Sequence, residues 1–210
     1  MRRRDIKDIR RQELIDATIE SIARRGFADT TLAHVADGAG LSRGIVNFYF
    51  ESKDDLLVAT LRHMAEEYEA SWRAAVERAG PSPAAALDAM IETDFDPIVA
   101  SRKKVTVWYA FWGEARWRPG ILRPCVELSD RYFVQTRALI AEIVASGGYR
   151  DIDADLVARG LNAMVDGLWL DILINPKSVD RAQAKRTCRA FLAARFPAEF
   201  AAGAEAASAA

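Results

Sequence analysis

Two histidines and two cysteines are all that 210 residues hold of the side chains most used in metal binding and nucleophilic catalysis. Cys125 and Cys188 stand far apart and match no ligand or redox spacing, so they read as reduced thiols and point to the cytosol. His34 and His63 are the only histidines, no glycine-rich phosphate loop opens a helix, and no paired acids sit in a cleft pattern. An enzyme is therefore not expected, and neither a metal nor a cofactor. No run of about 18 uncharged apolar residues occurs, and the charged start MRRRDIKDIRR leads into no apolar stretch, which argues against membrane insertion and secretion. Strand-like alternation of apolar and polar residues is also missing, so the chain reads as all-α.

What is present is apolar content, 50% of residues, enough to bury a core without staples. Charge is nearly balanced at −1, but unevenly placed. Through Lys53 there are ten basic and eight acidic residues, leaving −3 for the remainder, and the first eleven residues hold six basic against two acidic. The pattern predicts a small N-terminal module that meets phosphate and a larger body that does not.

The first helix carries Ile15, Ile19, Ile22 and Ala23 on one face and stops at Arg24, Arg25 and Gly26. Thr30 or Thr31 caps a second helix from Leu32 to about Gly38, and Ser42 opens a third, very short one to about Phe48. Ser52 and Asp55 form a capping-box-like start for a long helix to about Ala79. Further helices are expected from Ser82 into the Phe95 region, then over about 101–116, 120–146, 153–174 and 180–196, and the tail from 198 to 210 is low-complexity and expected to be mobile.

Residues 32–49 have helix-turn-helix spacing, with Gly40 in the turn and Val35, Ala36, Leu41 and Val46 available for a small core. A helix of about seven residues cannot stand alone in water, so packing must fix it and leave its outer face free. Arg43, Gly44 and Asn47 are then candidates for base edges, Tyr49 and Lys53 for phosphates, and Thr31 and Ser42 complete the candidate DNA-binding set. Of the three consecutive aromatics, Phe50 and one neighbour are expected to turn inward, and Phe48 is open either way. Lys53 lies in a helix first turn, where a cation opposes the helix dipole, and a phosphate would offset that cost.

Thr31, Ala36, Gly40, Ser42, Gly44, Tyr49, Phe50, Lys53 and Leu56 recur in the order and spacing of the TetR family, which this chain resembles over its first quarter. That family commonly carries an aromatic where this chain has Asn47. The resemblance implies a three-helix DNA-binding domain, placed here at residues 1–53, and a larger helical ligand-binding and dimerisation domain at 54–197. The stretches RRQELIDATIESI, SRGIVNFYF, VWYAFW and VDGLWL resemble the choline-responsive branch of the family, which represses glycine betaine osmoprotectant genes. A homodimer on operator double-stranded DNA, with choline as effector, is what that likeness implies.

In the larger domain Trp108, Phe111 and Trp112 fall at i, i+3 and i+4, and their ring faces could cage a quaternary ammonium, although such a stripe is also what a helix core looks like. Phe95, Tyr109, Trp117 and Trp169 are further candidates for the cage. Asp166, in the apolar run LNAMVDGLWLDILI, needs a partner, either structural or a ligand cation. Gly167 beside it permits close helix contact, and the apolar faces of 153–174 and 182–196 are expected to form a four-helix dimer interface. A sensor of other cationic or lipophilic compounds, controlling an efflux pump, is the competing reading.

Overall fold

The computed structural model describes residues 3–177 and 179–200, with side chains from residue 6 onward. Among them the order is α1 (Arg3–Arg25), α2 (Leu32–Gly38), α3 (Arg43–Tyr49), α4 (Lys53–Ala79), α5 (Pro83–Asp94), α6 (Arg102–Ala115), α7 (Pro119–Gly147), α8 (Ala154–Ile174) and α9 (Arg181–Ala193). The caps explain most of the boundaries. Gly26, at φ +85°, ends α1 in a left-handed conformation that other residues adopt only at a cost, and its N–H bonds the Ile22 carbonyl at 2.9 Å. Thr31, not Thr30, caps α2 by accepting from His34 N–H at 3.2 Å. Thr30 is buried instead, bonded to the Gly26 carbonyl and the Ser21 hydroxyl. Ser52 accepts from Asp55 N–H at 3.0 Å, while the Asp55 carboxylate reaches back to Glu51 N–H, one residue before the N-cap, so the head of α4 is capped by a variant of the expected box.

The chain divides into two units, residues 1–67 with 103–128 and residues 68–102 with 129–210. In the first, Leu14, Ile15, Ile19 and Ile22 of α1 pack with Val35 and Ala36 of α2, Val46 of α3 and Phe50. Gly40, at φ +64°, makes the turn from α2 to α3. Phe111 of α6 is fully buried in this unit and meets Phe27 edge-on at 5.6 Å. In the second unit Leu87, Met90 and Ile91 of α5, Ile140 and Ile143 of α7, Ala158, Leu161 and Val165 of α8 and Ala184, Cys188 and Leu192 of α9 are buried. Packing continues past α9: Phe196 and Phe200 are buried, and Glu199 accepts from the Tyr149 hydroxyl at 2.6 Å. Residues 198–200, expected in a mobile tail, are thus part of the packed structure, whereas 201–210 lie outside the described residues.

Candidate DNA-facing helix and buried acid–aromatic cluster

Helix α3 is short, and Val46 is its one fully buried side chain. Arg43, Gly44, Asn47 and Phe48 are exposed, and Tyr49 is half-buried. Of the three aromatics only Phe50 joins the core. Phe48 is 74% exposed, and Tyr49 meets it edge to face at 5.2 Å, so the expected inward neighbour does not exist. Ser42 occupies the N-cap position of α3 without a side-chain cap bond, which leaves its hydroxyl and that of Thr31 on exposed residues at two helix starts. His34 is tied to the Asp29 carbonyl through Nδ1 at 3.0 Å.

Lys53 is more occupied than its sequence position foretells. Its ammonium donates to the carbonyls of Phe27 and Ala28, at 3.3 and 3.2 Å, and lies 5.9 Å from the centre of the Phe27 ring. These carbonyls supply within the molecule the negative partner that offsets its unfavourable place in the α4 dipole. Arg118 lies over the same ring at 5.4 Å and pairs with Asp54 at 2.9 Å, so Phe27 is held between two cations and the edge of Phe111.

The second unit contains a carboxylate with no ordinary reason to be there. Asp94, at the end of α5, has no exposed surface, and its two oxygens accept from the hydroxyls of Tyr68 (2.6 Å) and Tyr132 (2.5 Å). Trp169 of α8 donates its indole N–H to the Asp94 carbonyl at 2.8 Å. The rings form a continuous group: Tyr68 stacks on Tyr132 at 5.7 Å, Trp169 meets Tyr68 at 5.8 Å, and Trp72 meets Tyr132 edge-on at 6.0 Å. Trp72 is buried, and its indole nitrogen has no hydrogen-bond partner among the described residues. No guanidinium or ammonium among them neutralises Asp94 either. Burial therefore pushes its pKa up to about 7; the two tyrosine hydroxyls pull it down, and the charge of Asp166 adds to the rise. Asp166 is exposed as a residue, yet protein around its carboxyl raises its pKa to about 6. A buried carboxylate whose pKa is raised by burial and by a second acid is a group whose charge a bound cation would relieve.

Of the expected effector residues, Asp166 and Trp169 belong to this cluster. Trp108, Phe111 and Trp112 belong to the other unit. There Phe111 is core, and Trp108 is nearly buried beside the half-buried Trp112, at 6.1 Å between ring centres. Phe95 is buried and Trp117 is 74% exposed. Sequence reasoning missed Asp94, Tyr68, Trp72 and Tyr132. A signal existed: Leu87, Met90, Ile91 and Asp94 fall at i, i+3, i+4 and i+7, which puts an acid on the buried stripe of α5. Among the described residues no helix is long and apolar enough to cross a membrane.

Comparison with known proteins fits both parts. Residues 14–60 match the family model for bacterial regulatory proteins of the tetR family, and residues 83–197 match the model of the BetI-type transcriptional repressor C-terminal domain. The chain is 36% identical over 192 residues to the HTH-type transcriptional regulator BetI of Paraburkholderia xenovorans, spanning 89% of this chain and 93% of that one. With BetI of Ectopseudomonas mendocina the identity is 33% over 190 residues, with the same coverage. A transcriptional regulator from Pseudomonas aeruginosa superposes with a TM-score of 0.80 at 27% identity, covering 88% of this chain and 89% of that one. A regulator from Saccharomonospora viridis, solved in complex with choline, shares the fold with a TM-score of 0.79 at 24% identity, covering 87% and 94%. These relatives are regulators of transcription and not enzymes. With one family model spanning more than half of its length and relatives covering nearly all of it, the chain belongs to the TetR family, as a BetI-type transcriptional repressor.

Proposed function

We propose that this repressor responds to a small quaternary ammonium, choline in the first place, bound at the Asp94 cluster, and that it controls genes of glycine betaine synthesis. The observation that carries the effector reading is Asp94 itself: a buried carboxylate bonded to two tyrosine hydroxyls, walled by aromatic rings, with the charge of a second acid, Asp166, acting on it. Ring faces attract a trimethylammonium group that cannot donate hydrogen bonds, and the carboxylate supplies its counter-charge. The choline found in the Saccharomonospora viridis regulator is consistent with this chemistry. Asp166, expected as a structural partner or as the ligand's counter-ion, serves in this reading as a second acid and Trp169 as a ring wall, while Trp108, Phe111 and Trp112 pass to a supporting role in the unit that carries α3.

DNA binding is assigned to Arg43, Gly44 and Asn47 at base edges, with Thr31, Ser42, Tyr49 and Lys53 at the backbone, in a homodimer whose two α3 helices enter successive major grooves about 34–36 Å apart. Helix α8 supports the dimer. Leu156, Ala163, Gly167, Leu170 and Ile174 recur along one exposed stripe, with Leu156, Leu170 and Ile174 at 69%, 39% and 68% exposure. No atom lies within 4 Å of where a side chain at Gly167 would begin, so a partner helix can approach closely there. On α9, Ala184, Cys188 and Leu192 are buried in the core of their own unit, and α8 is taken as the principal contact.

Calorimetry on the purified repressor with choline, betaine aldehyde and glycine betaine tests the effector. Choline should bind, glycine betaine should bind less well because its own carboxylate meets Asp94, and Asp94→Asn should lose choline while keeping operator DNA. No choline binding, or unchanged binding in Asp94→Asn, overturns the site. Release of DNA by lipophilic cations but not by choline would support the efflux-sensor reading instead.

A further inference from the structure

The outermost feature of the short helix α3 is an unburied phenyl ring. Val46 marks the inward direction, being fully buried. Gly44 and Phe48 stand two residues away on either side, about 200° round the helix from Val46 at 100° per residue, so they define the line furthest from the core. Asn47 and Arg43 lie together on one side of that line. Gly44 brings no side chain, and a Cβ placed there would meet only the Ser42 hydroxyl, at 3.9 Å. The Phe48 ring therefore does not fold back over the preceding turn. It stands out at 74% exposure, braced on its edge by Tyr49.

A ring in that position has no donor and no acceptor. Set against the polar edge of a guanine, cytosine or adenine, it would strip water from that edge and return no hydrogen bond. The floor of the major groove offers one apolar group, the 5-methyl of thymine. We propose that Phe48 is a specificity-determining residue that reads a thymine 5-methyl in each operator half-site, with Gly44 giving the ring and the helix backbone room to approach. The proposal rests on the reading that α3 enters the major groove, and it adds a base contact that the polar residues of the helix do not provide.

The test uses the full chain and duplexes selected by the wild-type protein from a random pool. Each thymine is then replaced in turn by deoxyuridine, which removes the methyl group and nothing else. At one thymine per half-site the wild type should lose affinity about fourfold, the effect of burying a single methyl group. Phe48→Ala should bind thymine and deoxyuridine duplexes equally at that position, and Phe48→Leu should retain part of the discrimination. Circular dichroism should be unchanged, because the ring supports no core. Equal loss by Phe48→Ala on both duplexes would mean that the ring packs on sugar or phosphate, and overturns the proposal. So does a wild type indifferent to every substitution. If no duplex is enriched from the pool, the placement of α3 in DNA fails as well.

Discussion

Choline carries a charge that no pH removes, so the pH dependence of its binding reports only on the protein. If Asp94 must be ionised to hold the cation, the apparent affinity is the intrinsic one multiplied by the ionised fraction. With a pKa of about 7, that fraction is about 0.9 at pH 8, about 0.5 at pH 7 and about 0.1 at pH 6. Affinity should therefore fall about tenfold between pH 8 and pH 6 and level off above pH 8. Binding should also release about 0.9 proton per site at pH 6 and about 0.1 at pH 8, measurable by titration calorimetry in buffers of different ionisation enthalpy. Asp94→Asn should flatten this dependence and weaken binding by about a hundredfold, since truncating one member of a buried, hydrogen-bonded charge pair costs about 2–5 kcal/mol. Asp166 gives a second handle with a definite sign. Its charge raises the Asp94 pKa, so Asp166→Asn should move the midpoint to lower pH. Loss of either tyrosine hydroxyl, in Tyr68→Phe or Tyr132→Phe, should move it up, because both bonds favour the ionised form. Wild-type affinity unchanged from pH 6 to pH 8, or an Asp94→Asn variant with the same slope, would refute the assignment of Asp94 as counter-ion.

The same titration affects folding. A carboxyl whose folded pKa is raised contributes stability that is complete below its unfolded pKa and is lost as pH rises through about 7, so ligand-free wild type should lose about 1 kcal/mol relative to Asp94→Asn between pH 6 and pH 8 in chemical denaturation. Phe111→Ala should cost about 3–5 kcal/mol in the same assay, because its ring is fully buried against Phe27, whereas a thermal stability close to wild type would return Phe111 to the list of cage candidates. Leu170→Glu should split the dimer in sedimentation and lower operator affinity with it, and a dimeric variant would place the interface off α8. Lys53→Ala should reduce the slope of log affinity against log salt on every duplex alike, and a slope equal to wild type in the folded variant would confine Lys53 to the Phe27 and Ala28 carbonyls.

The helix-turn-helix was legible because its signals are local. Gly26 and Gly40 sit where left-handed backbone is needed, Thr31 caps the helix it precedes, and Val35 and Val46 fall at buried positions, each readable within a few residues. The consecutive aromatics Phe48, Tyr49 and Phe50 were harder, because orientation depends on how α3 is rotated against its neighbours, and one buried residue, Val46, settles that rotation. The proposed effector site was legible least. Trp108, Phe111 and Trp112 share a helix face, and an aromatic stripe of that period is equally good as core, which is what Phe111 became. Asp94 instead draws its tyrosines from α4 and α7 and its indole from α8, at separations of 26, 38 and 75 residues that no periodicity links.

A response to choline further requires that the cation bind the DNA-free conformation better than the DNA-bound one, since equal affinity for both would shift nothing. Helix α4 carries residues that report on each end of that linkage. Lys53, at its start, holds the Phe27 and Ala28 carbonyls, and Tyr68, 15 residues later on the same helix, holds Asp94. Ionising Asp94 against a bound cation strengthens the Tyr68 hydroxyl bond, because a charged acceptor holds a hydroxyl more tightly than a neutral one. Tyr68→Phe should therefore bind choline more weakly at pH 7 and, at saturating choline, release DNA less completely than wild type. Gel shifts at saturating choline measure the second effect apart from the first, and full release by Tyr68→Phe would show that the signal leaves Asp94 by Tyr132 or Trp169 instead of by α4.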